Sequence, residues 1–207
     1  MKIRQATYED LEALMEIFEG AKRIMRASGN LQQWNDGYPS REVVMRDIEA
    51  GHCYVLCDVG DAGQVGDAGD VGQVGDVGQV GDVDQAPDAV REHSTEHIIA
   101  TMALIPGPDP TYSYIEGEWP GDEPYYVIHR IATATPGRDV ARIMFDWAFE
   151  YIKPASTIRI DTHRDNCIMK HILTKYGFKM CGVIYLEDGA PRDAYYLKSD
   201  ATVSGRS

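Results

Sequence analysis

Tyr125 to Phe178 runs YYVIHRIATATPGRDVARIMFDWAFEYIKPASTIRIDTHRDNCIMKHILTKYGF. Tyr125 to Ala132 is an apolar run rich in aromatic and β-branched residues, the composition of a buried strand. The Pro136-Gly137-Arg138-Asp139 corner follows and opens an amphipathic helix, in which Met144, Trp147 and Tyr151 recur at helical spacing as core residues. Thr157 to Asp161 predicts a second strand, and a further helix ends at Lys175-Tyr176-Gly177-Phe178. A strand that turns at a glycine into a helix presents unpaired N–H groups and the positive end of the helix dipole. Such a corner binds phosphate esters without metal, so the segment points to a phosphate-bearing cofactor.

Upstream, Lys2 to Ala6 suits a short first strand, and Thr7 with Asp10 marks the start of a helix that runs to about Arg26. Its apolar stripe is Leu11, Leu14, Met15, Phe18, Ala21 and Met25. Pro39-Ser40 opens a second short helix, with Val43, Val44, Met45 and Ile48 as its inward residues, and the loop between the two helices carries Trp34 and Tyr38. His52 to Asp58 and Ile98 to Ile105 read as a hairpin interrupted at its tip by residues 59–97. That insertion contains eight successive triplets of the form Val/Ala-Gly-Asp/Gln. Without proline in the triplets it is not collagen-like, and it is too short for a β-helix to bury a core. A flexible, solvated excursion with no chemistry of its own is expected.

Residues 106–124 read as a long loop containing Trp119, and Cys181 to Leu186 and Asp193 to Lys198 as two last strands; the tail from 199 to 207 is expected to fray. The expected fold class is therefore α+β: one domain over residues 1–198, with a mostly antiparallel mixed sheet of about seven strands and about four helices.

The formal net charge of −13 says little about partners, because residues 58–97 supply nine of those charges through eight Asp and two Glu against one Arg. The remainder is mildly acidic and has no basic stripe, which argues against a nucleic-acid partner. No apolar run approaches the roughly 20 residues that span a bilayer, and Met1-Lys2-Ile3-Arg4-Gln5 enters a strand without an apolar leader. No membrane partner and a cytoplasmic location are expected. Cys53, Cys57, Cys167 and Cys181 fit no paired zinc spacing, so no metal is expected and the thiols should be reduced and mostly buried, with Cys53 and Cys57 on one strand face.

The order of these elements resembles that of the GCN5-related N-acetyltransferase (GNAT) superfamily. Three places carry the resemblance: Tyr126 to Thr133 (YVIHRIAT), the turn Pro136 to Ala141 (PGRDVA), and the helix from Asp165-Asn166 to Gly177-Phe178. A bacterial branch with Gln-Trp-Asn and Tyr-Pro in one loop is the most similar, here Gln33-Trp34-Asn35 and Tyr38-Pro39. The resemblance covers nearly the whole chain apart from the insertion and the tail. It implies a V-shaped split between two central strands that holds acetyl-coenzyme A (acetyl-CoA) as co-substrate. It also implies direct transfer of the acetyl group, in a ternary complex, to an amine of a small molecule or peptide; a homodimer stays open.

By the same resemblance, strand donors at Ile131, Ala132 and Thr133 would pair with pantetheine and the acetyl oxygen. Gly137, Arg138, Asp139, Val140, Ala141 and Arg142 would cradle the pyrophosphate, and Asn166 would bond pantetheine or cap the helix that follows it. Two departures stand out. The family's Gln/Arg-x-x-Gly-x-Gly/Ala loop falls on Ala134, Gly137 and Asp139, so one glycine is lost and a carboxylate stands near the phosphates; weaker cofactor affinity is expected. The tyrosine that protonates the departing thiolate in many members falls on Leu173, and Tyr176 is offset round the helix from that place. Both departures support an alternative, a catalytically silent acyl-CoA-binding sensor or scaffold; a third reading makes the insertion an interaction arm.

Acetyl transfer to an amine needs a base, since an amine with pKa near ~10 is almost wholly protonated at neutral pH. His129 occupies the place where relatives often carry a catalytic glutamate, and imidazole has the proton affinity for the task; the competing role is a hydrogen-bonded core histidine. Asp161 and His163 are second choices, and Glu116 could approach from the long loop. Trp34, Tyr38 and Trp119 are expected either to line an acceptor pocket or to cover the core.

Overall fold

The structure is a computed structural model of the chain, and it describes residues 1–59, 96–134, 139–155 and 157–198. In chain order these form β1 (Lys2–Gln5), α1 (Leu11–Ala27), α2 (Arg41–Glu49), β2 (Cys53–Val59), β3 (Glu96–Pro106) and β4 (Glu116–Gly117). There follow β5 (Tyr126–Thr133), α3 (Val140–Tyr151), β6 (Thr157–Thr162), α4 (Cys167–Tyr176), β7 (Lys179–Tyr185) and β8 (Pro191–Lys198). The strands make one sheet, ordered β1-β2-β3-β5-β6-β8-β7-β4. Every neighbouring pair is antiparallel except β5 with β6.

Strand alternation sends helices to both faces of the sheet. On β2, Cys53, Val55 and Cys57 pack with Leu14 and Phe18 of α1 and Val44 and Ile48 of α2. Tyr54 and Leu56 point the other way, towards Met144 and Phe145 of α3 and Leu173 of α4. Burying each such large side chain stabilises the fold by roughly 1.5–3 kcal/mol. The two strand cysteines share a face as expected, but Cys167 is exposed and Cys181 half-buried.

Local signals set the helix ends. The Thr7 N–H donates to Asp10 Oδ2 at 2.7 Å, and a 3-10 turn over Tyr8–Asp10 precedes α1. The buried stripe of α1 takes Ile17 and Lys22, while Met15 and Ala21 sit at its partly buried edge. In α2, Ser40 Oγ accepts from the Val43 N–H, and Met45 is exposed. Gly177 ends α4 with φ of +116°.

The stretch read as a long loop contributes an eighth strand, β4, which pairs with β7 at the sheet edge. Two residues are too few to show an alternation, so no sequence signal marked it. The pairing sets Gly117 against Gly182, and a Cβ on either would run into the other's strand. The rest of the stretch covers the half of the sheet that α1 and α2 leave open, with Tyr112 against Val127, Ile184 and Ala194. The Arg159 guanidinium lies between the rings of Trp119 and Tyr125, at 4.3 and 3.8 Å from their centres.

The expected V-shaped split lies between β5 and β6. These strands pair only over Tyr126–Ile128 and Ile158–Ile160, after which β5 continues to Thr133 along β3 alone. At that point β5 carries one residue more than β3: His129 faces Ala103 and Ala132 faces Thr101. The bulge includes Arg130 at φ of +52°, a conformation that few non-glycine residues adopt. A bulge bends its strand and increases its twist, which carries β5 away from β6. The hairpin β2–β3 pairs as far as Val59 and Glu96; the insertion between them and the tail lie outside the described residues.

Candidate active site

The split opens into a cleft of about 960 Å3. Its walls include β5 beyond the bulge, Ala141 of α3, Met169 and Ile172 of α4, and the α1–α2 loop with Trp34 and Tyr38. Because of the bulge, two consecutive side chains serve the same side of β5. Arg130 makes a two-pronged contact with Asp47, Nε at 2.6 Å and Nη2 at 2.8 Å, and its Nη1 donates to Tyr38 Oη at 2.9 Å. His129 stands between two carboxylates: Nε2 is 2.9 Å from Asp109 Oδ2, and Nδ1 is 3.9 Å from Asp161 Oδ1.

Asp109 is built to accept. Its Oδ1 takes the Thr111 N–H at 2.8 Å and the Thr111 hydroxyl at 2.5 Å. Burial opposes its charge, but the hydrogen bonds from His129 and Thr111 outweigh that and hold the carboxyl down at about 2. Against an ionised Asp109, Nε2 of His129 is the donor; in the neutral imidazole Nδ1 then carries the lone pair, on the side of Asp161. On the far side, Asp161 Oδ1 accepts from the Tyr112 hydroxyl at 2.8 Å. Burial, and then the charge of Asp161, push that phenol well above its ordinary range, so it remains a donor. His163 also lines the cleft; burial and then nearby Arg192 lower its pKa.

Among the sequence-predicted residues, Ile131, Ala132, Thr133, Ala141, Trp34 and Tyr38 line the cleft. Trp34 also packs edge-on to Phe18, with centroids 5.6 Å apart. Trp119 is a correction: it is absent from the cleft wall and lies behind Tyr112, stacked at 5.3 Å, with Nε1 donating to the Tyr112 carbonyl at 3.2 Å. Folding of its segment onto the open half of the sheet leaves it half-buried there. Val140 is in the core, Asp139 is exposed at the start of α3, and exposed Arg142 lies 3.6 Å from Asp146. Gly137 and Arg138 lie outside the described residues.

Asn166 caps α4: Oδ1 accepts from the Met169 N–H at 3.1 Å, while Nδ2 donates to Gln33 Oε1 at 2.9 Å. Gln33 Oε1 also accepts from Asn30 Nδ2 at 3.0 Å, so one glutamine ties the α1–α2 loop to the turn before α4. Leu173 is wholly buried, and the Tyr176 hydroxyl donates to Asp146 at 2.7 Å while its ring packs on Phe145. Glu116 sits on β4 and does not line the cleft. Sequence reasoning missed Asp109, Tyr112, Asp47 and Gln33. For Asp109 a signal existed: Asp109-Pro110-Thr111 has the form of a cap followed by proline at the first helical position. Among the described residues, no group of three or more His, Cys, Asp or Glu side chains could hold a metal ion, and no helix is long and apolar enough to cross a membrane.

Comparison with solved structures gives the class. A GNAT-family acetyltransferase from Streptococcus agalactiae matches with a TM-score of 0.73 and 27% identity, over 96% of this chain and 95% of that one. One from Listeria monocytogenes matches with a TM-score of 0.59 and 17% identity, over 96% and 94%. The NatC complex bound to Gag peptide and CoA contains a chain that matches with a TM-score of 0.51 and 12% identity, over 97% of this chain and 100% of that one. No protein-family model matches, and comparison with curated proteins gives no match. With its split sheet, the chain belongs to the GNAT superfamily.

Proposed function

We propose that this chain is an N-acetyltransferase that moves an acetyl group from acetyl-CoA to a primary amine by direct transfer in a ternary complex, with His129 as general base. The supporting observation is the orientation of His129 at the mouth of the split, bonded to Asp109 through Nε2 and with Nδ1 facing Asp161 across 3.9 Å. Acetyl-CoA, bound as co-substrate, supplies the activated carbonyl and a thiol leaving group. The structure fits such a guest: on its β6 side, β5 from His129 to Thr133 has no strand partner, so its main-chain groups can serve a ligand in the cleft.

In this reading, main-chain N–H groups of Ile131 to Thr133 hold the acyl oxygen and the pantetheine arm, a stabilisation of about 2.7–4 kcal/mol per well-aimed donor. The segment from Gly137 to Arg142 receives the pyrophosphate. His129 takes the proton of the attacking amine on Nδ1, worth about 10²–10⁴ in rate, and the imidazolium formed is stabilised by Asp109. The amine nitrogen forms its bond to the acyl carbon as the carbon–sulfur bond breaks. A thiol with a pKa of about 8.5 leaves as thiolate without a dedicated acid, consistent with Leu173 and Tyr176 facing away from the cleft. Asn166 acts as cap and tie rather than through a side-chain bond to pantetheine. Four unpaired cysteines fit a cytoplasmic setting. The test is isothermal titration with acetyl-CoA, followed by thiol release against a panel of amines; binding without turnover by any amine would favour a silent acyl-CoA sensor.

A further inference from the structure

The space between His129 Nδ1 and Asp161 has a definite chemistry. At 3.9 Å the two groups are too far apart to bond each other, and with the imidazole neutral each presents an acceptor to the gap. An ammonium has three donors and no acceptor, so one group can reach both Asp161 and His129. The surroundings carry the same sign. Asp36, Asp109, Asp161 and Asp188 line the cleft against two cations, Arg130 and Arg192, and Arg130 is held by Asp47.

A second, smaller groove of about 340 Å3 adjoins this cleft and shares Thr111 and Leu186 with it. Tyr114 and Tyr185 form its sides, with ring centroids 6.3 Å apart and both rings exposed. Glu187 is its one charged lining residue. Aromatic faces beside a carboxylate accept a cation and its alkyl chain, and Thr111 and Leu186 line both that place and the cleft that holds His129.

Resting on the N-acetyltransferase reading, we propose that the acceptor is a slender aliphatic primary amine with a second positive charge. Its reacting ammonium sits between His129 and Asp161, and its distal cation lies in the groove beside Tyr114, Tyr185 and Glu187. Asp161 attracts the charged form; His129 takes the proton that must leave before the nitrogen attacks, and the second proton, lost as the amide forms, passes through solvent to the departed thiolate. A single charge would engage the cleft alone and leave the groove and the exposed Glu187 to water.

Isothermal titration of 1,6-diaminohexane and hexylamine into the protein carrying CoA tests this directly. The diamine should bind about tenfold tighter than the monoamine. Asp161→Asn, which keeps an acceptor for Tyr112, should weaken both amines at least tenfold. Glu187→Gln combined with Tyr185→Leu should bring the diamine-to-monoamine ratio to within about twofold of unity. Equal wild-type affinities, or a ratio that the double variant leaves intact, would overturn the inference. Thiol release is then measured with the same two amines and acetyl-CoA. Its absence with both, in protein that binds the diamine preferentially, would overturn the enzymatic reading and leave the dication site standing.

Discussion

Asp109→Asn removes the carboxylate on which His129 is oriented, and its cost can be worked from the structure. The carboxyl falls from 3.8 to about 2 on folding because hydrogen bonds from His129 and Thr111 overcome the burial that opposes its charge. At about 1.4 kcal/mol per unit, that depression corresponds to roughly 2 kcal/mol of folding stability. The side chain is only 14% exposed, so solvent screening removes little of it. The folded value lies below the unfolded one. The contribution is therefore complete above about pH 4 and is lost as the pH falls through about 2. Asparagine keeps an oxygen for the Thr111 N–H, so the variant isolates the charge. Urea unfolding of both proteins across the range from about pH 7 to pH 2 should show the variant less stable at neutral pH, with the gap narrowing by about 2 kcal/mol between pH 4 and 2. A gap that stays constant down to pH 2 would refute the carboxylate–imidazole pairing as the source of the shift.

His129→Ala should lower kcat about 100-fold or more while changing acetyl-CoA affinity less than twofold; unchanged turnover in the thiol-release assay removes His129 as base. Leu173→Ala empties a wholly buried site and should cost about 2–5 kcal/mol in chemical denaturation, against less than 1 if that face were open to the cleft. Gly182→Ala should separate β4 from β7, seen as faster hydrogen exchange at the Glu118 amide, which bonds the Cys181 carbonyl at 3.1 Å; an unchanged rate contradicts the close approach of the two glycines. Replacing residues 60–95 with a two-residue turn should leave melting temperature and acetyl-CoA binding unchanged, because β2 and β3 already pair out to Val59 and Glu96; loss of either would make the insertion a functional part.

The order of strands and helices was legible because it is written in short-range periodicity. Alternation on β2 and the apolar stripes of α1, α3 and α4 repeat within a few residues, and a side chain's face follows from its position alone. His129 and Ile131 to Thr133 were reached through the resemblance of their strand to the acetyltransferases, and Trp34 and Tyr38 as aromatics in a loop. Boundaries slipped by a residue or two where a 3-10 turn or a bulge replaced regular geometry, as at Tyr8–Asp10 and Arg130.

What the chain alone determined, then, is which segments are strands and helices, the short β4 excepted, while its resemblance to the acetyltransferases set an imidazole beside the split. Only the folded arrangement decided that imidazole's partners. Asp109 lies 20 residues from His129 and Asp161 lies 32 away on another strand, so their meeting depends on a loop folding back over the sheet and on one extra residue in β5. A contact of a few ångströms between distant residues is a property of the closed path of the whole chain, and no local pattern of side chains encodes it. The same holds for Trp119, whose composition suits a pocket but whose place behind Tyr112 was set by the face of the sheet that α1 and α2 left uncovered.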